Sequence, residues 1–137
     1  MHWGFIYRHG HERHHARNES RTFLHDFLDY GTGAALLGWI GFVVSIPAGF
    51  GTLLGAFAYA ALASYAHQLQ HVNPDLVCWM RRPVHRLHHA YEMTDHNFGI
   101  LVDWWDRIFG TYQPTERQRS PSQGNLRLIN YVMIPWR

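Results

Sequence analysis

The sequence predicts an all-α fold: an integral membrane helical hairpin with a cytoplasmic helical cap that carries histidine clusters. Three observations predict it. No Asp, Glu, Lys or Arg occurs between Asp29 and Asp75. A Pro/Gly-rich segment, Pro47-Ala48-Gly49-Phe50-Gly51, interrupts that block. Histidine is as frequent as all the basic residues together, 12 of each in 137 residues, and most of it lies outside the block.

The apolar block justifies the hairpin. Residues 30–66 are rich in Gly, Ala, Leu, Phe and Val with a few hydroxyls. As one straight helix they would run about 55 Å at about 1.5 Å per residue. The hydrocarbon core of a bilayer is about 30 Å thick, so two shorter spans fit better than one. Pro47 removes a backbone donor and the neighbouring glycines permit a turn. The expected spans are therefore 31–46 and 51–66, each about 24 Å long, so they would tilt little or stop short of the far face. Gly51, Gly55, Ala56 and Ala60 are small enough for close contact between the helices. A buried soluble hairpin would normally carry a polar stripe, and neither span shows one.

Charge sets the expected orientation. Arg8, Arg13, Arg17 and Arg21 precede the block, Arg81, Arg82 and Arg86 follow it, and the turn has no charge. Basic flanks stay on the cytoplasmic side, which places both ends of the hairpin there. No apolar stretch in the first 29 residues resembles a signal peptide. A net charge of +2 gives no electrostatic reason to expect nucleic acid as a partner. One cysteine, Cys78, excludes a disulfide framework and a Cys-based zinc ribbon. Between Val77 and Trp79 it reads as an inert, apolar-packed thiol.

The cap is justified by histidine spacing. His11, His14 and His15 read HxxHH, and His85, His88 and His89 repeat that pattern. Between them His67 and His71 read HxxxH, directly after the second span. On a helix, positions i, i+3 and i+4 share a face, so each cluster aims its imidazoles one way. Neutral imidazole is a good ligand for Zn, Fe, Cu and Ni. Eight such side chains exceed what one four-coordinate metal uses, which favours two metals. His9 and His96 lie close enough to support the ligands, whereas His2 and His25 read as polar surface. His11, Glu12 and His15 also match HExxH, the zinc-peptidase pattern in which the glutamate is the general base. The repeated cluster has Arg86 where Glu12 stands, so the glutamate is not part of the shared pattern.

HxxHH, hairpin, HxxxH and His85-Arg86-Leu87-His88-His89 are followed by Asn97-Phe98-Gly99 and by Trp105-Asp106-Arg107-Ile108-Phe109-Gly110-Thr111. In this order the segments resemble the fatty acid hydroxylase / sterol desaturase superfamily, over roughly residues 7–112. The resemblance implies a domain at 1–112, a tail at 113–137, and a membrane enzyme that hydroxylates or desaturates lipid C–H bonds with O₂. It implies two iron ions, with zinc possible in purified protein, held by His11, His14, His15, His67, His71, His85, His88 and His89. His9, His96, Asn97 and Asp106 would orient these ligands from behind, while Asp103 and Asp106 beside Trp104 and Trp105 read equally as a helix end docked at the interface. The family also has a first histidine box upstream, which the ten residues before His11 cannot hold. The expectation is an N-terminally truncated chain or a shortened member lacking two ligands.

The reaction needs two electrons, and the chain has no flavin or haem motif. A separate donor of the cytochrome b5 or ferredoxin type is implied. Arg81, Arg82 and Arg86 can dock such an acidic donor or face lipid phosphates. Phe23, Phe27, Phe42, Phe50 and Phe57 are candidates to line a lateral path for a lipid chain. Residues 113–123 read as a loop, and 126–136 are amphiphilic enough to return to the membrane surface. Two other functions fit the same sequence: a non-catalytic metal-binding membrane protein, and a zinc peptidase acting through Glu12.

Overall fold

The computed structural model describes residues 22–91, 93, 95–115 and 128–136. Among these residues there is no strand. The hairpin consists of α1 (Phe23–Gly38), α2 (Ile40–Val44) and α3 (Ile46–Val72). The cap follows as a 3₁₀ turn (Pro74–Leu76), α4 (Val84–Ala90), α5 (Trp104–Phe109) and a second 3₁₀ turn (Leu128–Tyr131).

The first helix begins eight residues before the expected 31. Thr22 caps it by accepting from the backbone N–H of His25. The returning C-terminal segment satisfies two more free donors, Phe23 N–H to Pro135 O at 2.7 Å and Leu24 N–H to Trp136 O at 3.3 Å. Asp26 and Asp29 thus lie inside the helix, and the limit of the apolar block is not the limit of the helix. Of the segment expected to return, residues 128–136 reach the start of α1, where Ile134 enters the core and the Tyr65 hydroxyl donates to Tyr131 O at 2.9 Å.

The turn is also displaced. Ser45 alone is extended, and its hydroxyl caps α3 by accepting from Ala48 N–H at 3.2 Å. Pro47 occupies the first turn of α3, where a helix does not use the missing N–H. The expected break at 47–51 is therefore helix, and α3 runs on to Val72 instead of stopping at 66. Its 27 residues extend about 40 Å, so the second span does not fall short of the far face.

The close contacts lie near the tip. A Cβ on Gly38 would overlap Leu53, one on Gly41 would overlap Thr52, and one on Gly49 would overlap the Phe42 ring. Gly51 and Gly55, expected at the helix contact, face open space. Of the expected small residues Ala60 is buried and Ala56 half-buried.

Phe23–Val44 and Ile46–Val72 are long and apolar enough to cross a bilayer. Their apolar side chains point outward. Val43 is 88% exposed and Leu54 75%, with Leu36, Val44 and Ile46 similarly uncovered. A soluble core helix would bury these groups, at about 1.5–3 kcal/mol each, whereas hydrocarbon accepts them as they stand. The aromatic candidates divide into two sets. Phe27 lies between Phe23 and Phe57, with ring centroids 6.1 and 6.4 Å away, while Phe42 packs on Phe50 and Trp39 at the hairpin tip.

The cap packs on the last turns of α3. Leu69 meets Leu76, Val77, Met80, Val84 and Ile134 in one buried cluster, edged by Phe23, Tyr65, Tyr112 and Tyr131. This core fixes α4 against the end of α3.

Candidate metal centre

His67 and His71 stand one turn apart at the end of α3, and His85 and His89 one turn apart on α4. One ligand nitrogen from each of the four lies within 4.8 Å of the other three. His85 Nε2 and His89 Nε2 are 3.1 Å apart. Across the helices, the His67 and His85 rings are 4.5 Å apart and the His71 and His89 rings 4.7 Å. His67, His85 and His89 are buried and His71 is half-buried.

Residues between the histidines hold this arrangement. Gln70 is fully buried, and its carbonyl accepts from His85 N–H at 3.0 Å and Arg86 N–H at 3.4 Å. Pro83, which precedes α4, provides no side-chain cap, so a residue of α3 caps the helix carrying the other two histidines. The Gln70 amide donates to Ile100 O at 2.5 Å, which ties down the loop beyond. On the opposite side, the buried Asp26 of α1 accepts from His67 Nδ1 and from Gln68 Nε2, each at 2.5 Å. Burial, reinforced by the neighbouring imidazoles His67, His89, His71 and His88, pushes the His85 pKa well below its usual value and keeps the ring neutral.

His88 is buried but outside the four-nitrogen group. Its Nδ1 bonds the His96 carbonyl at 2.7 Å, and its ring lies against Phe98. The loop behind it is built by Asn97 and Asp106. Asn97 adopts a φ of 60°, which asparagine tolerates, and exchanges two side-chain bonds of 2.9 Å with the Gln113 backbone. Asp106 accepts from Phe98 N–H at 2.8 Å, Gly99 N–H at 2.7 Å and the Thr111 hydroxyl at 2.7 Å. A Cβ on Gly99 would collide with this carboxylate and with Val102 O. The NFG and WDRIFGT segments are therefore two halves of one loop support. His96 is half-buried and pairs with Asp95 at 2.7 Å.

His11, His14 and His15, together with His2, His9 and Glu12, lie outside the described residues. His25 is exposed and bonds the Thr22 hydroxyl. Cys78 is exposed rather than packed. In the arginine cluster Arg81 is exposed, whereas Arg82 donates to Thr115 O and holds the segment after α5. An apolar cavity of about 250 Å³ opens between α3 and the cap, lined by Leu62, Tyr65, Trp79 and Leu101. Asp26, Gln68 and Gln70 have no counterpart in the sequence reading. The one available signal was polar side chains of both kinds inside HQLQH, at positions that a lipid-facing helix would fill with apolar residues.

The donor set fits a metal. Two nitrogens each about 2.1 Å from one ion are at most about 4.2 Å apart, so a 4.8 Å spread closes by small side-chain rotations. The four imidazoles are of the type that binds Zn, Fe, Cu and Ni. Fold and site together define a class: an all-helical hairpin of membrane-spanning length with a buried candidate metal cluster at one end. Within that class, the chain belongs to the fatty acid hydroxylase family, whose model matches residues 1–111. No curated protein and no solved structure gives a significant match.

Proposed function

We propose that the chain is a membrane-bound lipid oxygenase, a hydroxylase or desaturase, built around a histidine-ligated dinuclear iron centre. The observation that carries this reading is the buried four-imidazole cluster in a chain of the fatty acid hydroxylase family. His67, His71, His85 and His89 would hold metal, and His11, His14, His15 and His88 would complete the set. The metal, when bound, supplies the activation of O₂ that attack on an unactivated C–H bond requires.

The chain's own residues provide confinement and orientation. Burial of His67, His85 and His89 limits water at the centre, and the Asp26 and Gln70 contacts fix the angle between the two pairs. The cavity at Leu62 and Tyr65 lies about one turn before His67 along α3, a level from which an alkyl chain can enter from the bilayer. Hydroxylation consumes one O₂, two electrons and two protons per C–H bond and releases water, so a soluble or membrane-bound donor protein is part of the system. The arginines on both flanks favour the cytoplasmic side for the centre, the side on which such donors reside.

Reconstitution in lipid with a reduced donor and isotopically labelled O₂ tests the reading. Labelled hydroxylated lipid, or lipid lacking two hydrogens, is expected, and the double substitution His85→Ala, His89→Ala should abolish it. Tight metal binding without lipid oxidation by any donor would instead identify a non-catalytic metal-binding membrane protein.

A further inference from the structure

Asp26 is a carboxylate in the first turn of a membrane-length helix that carries no charged residue beyond Asp29, and only 6% of it is exposed. Acids at that depth persist when they are paired. Asp26 has two partners, and both come from consecutive residues of α3. His67 Nδ1 and Gln68 Nε2 converge on the same oxygen, Oδ2, at 2.5 Å. A carboxylate accepts and does not donate, so the shared proton belongs to Nδ1 of His67. The lone pair then resides on Nε2, and the ring is held with its neighbours His71 and His85 at centroid distances of 4.8 and 4.5 Å.

We propose that Asp26 is the positioning residue of the metal centre: it fixes the tautomer and the ring plane of His67 and makes that imidazole a stronger ligand. This role rests on reading the histidine cluster as a metal site. Carboxylates behind metal-bound histidines typically change metal affinity by about 10–100-fold when removed. Gln68 has a different task. It holds Asp26 through the same oxygen and fastens α1 to α3 without a hydrogen bond to a histidine nitrogen among the described residues. The two residues therefore separate a structural tie from an effect on the ligand.

The experiment is a Co²⁺ titration of the full chain in detergent, following the visible ligand-field bands, with thermal unfolding in parallel. Asp26→Asn keeps the shape and one acceptor but loses the charge, and should weaken Co²⁺ binding about 10-fold with altered bands. Asp26→Ala should weaken it further. Gln68→Leu should lower the melting temperature while leaving affinity within a few-fold of wild type. A measurement on wild type needs no variant: nitrogen NMR of the Zn²⁺-loaded protein, with His67 assigned by its absence in His67→Gln, should find the proton on Nδ1. Unchanged Co²⁺ affinity in both Asp26 variants, or a proton on Nε2, overturns the role of Asp26 and leaves the metal site intact. A wild-type chain that takes up no Co²⁺ overturns the metal reading and this role together.

Discussion

The coupling between the two histidine pairs passes through Gln70, which makes Gln70→Leu an informative perturbation. Leucine keeps the approximate volume and removes three hydrogen bonds, those from His85 N–H, from Arg86 N–H and to Ile100 O. The His85 amide would then be buried at a helix start with no cap. An ordinary bond contributes about 0.5–1.5 kcal/mol, and a buried donor left without an acceptor costs about 1–3 kcal/mol. The Arg86 contact at 3.4 Å is the weakest of the three, so the total is about 2–4 kcal/mol. If α4 relaxes by moving away from α3, His85 and His89 leave His67 and His71, and the same free energy is lost from metal binding. That corresponds to roughly 30- to 1,000-fold weaker affinity at about 1.4 kcal/mol per tenfold. Gln70→Glu retains an acceptor at the helix start, and its charge suits the positive end of the helix. It should recover much of the affinity. The assay is a competition titration with a chromophoric chelator, alongside hydrogen exchange of residues 84–90. Wild-type affinity and wild-type protection in Gln70→Leu would refute the claim that this residue joins the two pairs.

Four further outcomes are expected. Asp106→Asn presents an amide to donors that need an acceptor, Phe98 N–H and Gly99 N–H, and should cost about 1.5–3 kcal/mol, read as a fall in melting temperature. Gly49→Ala puts a methyl group into the Phe42 ring and should destabilise by about 1–3 kcal/mol. Gly55→Ala meets open space inside a helix and should be neutral or stabilising by up to about 1 kcal/mol, a contrast that one set of detergent melts decides. Acid should destabilise the metal-free protein. Below about pH 6.5 an unfolded imidazole takes a proton that buried His85 resists, so the unfolded state binds more protons. Stability is then present above that pH and falls as pH decreases below it, which melting temperatures between pH 5 and 8 will show.

The hairpin was legible because charge is absent from 30–74 and because two spans fit a bilayer better than one. Its turn was not. Pro47 is equally at home in a loop and in the first turn of a helix, and the deciding residue was Ser45, whose hydroxyl caps α3. The start of α1 was missed for a related reason. Asp26 and Asp29 mark the end of the apolar block, but a helix continues through charged residues when its N-terminus is capped.

In the site, spacing made it legible that His67 and His71, and His85 and His89, share helix faces. It did not reveal that His88 turns to the His96 carbonyl, because that depends on the loop shaped by Asn97 and Asp106. Nor did it reveal Asp26, Gln68 or Gln70. Their roles exist only once three helices are packed, and a single helix pattern says nothing about a partner 41 or 15 residues away.

The central claim is that the buried imidazole cluster is a metal centre. Metal analysis by mass spectrometry of the detergent-purified chain, produced without added metal, tests it most directly. The account predicts about two iron or zinc ions per wild-type chain, and their loss in the His85→Ala, His89→Ala double variant with the helical content retained. A metal-free wild-type protein, or a double variant that keeps its metal, would contradict it.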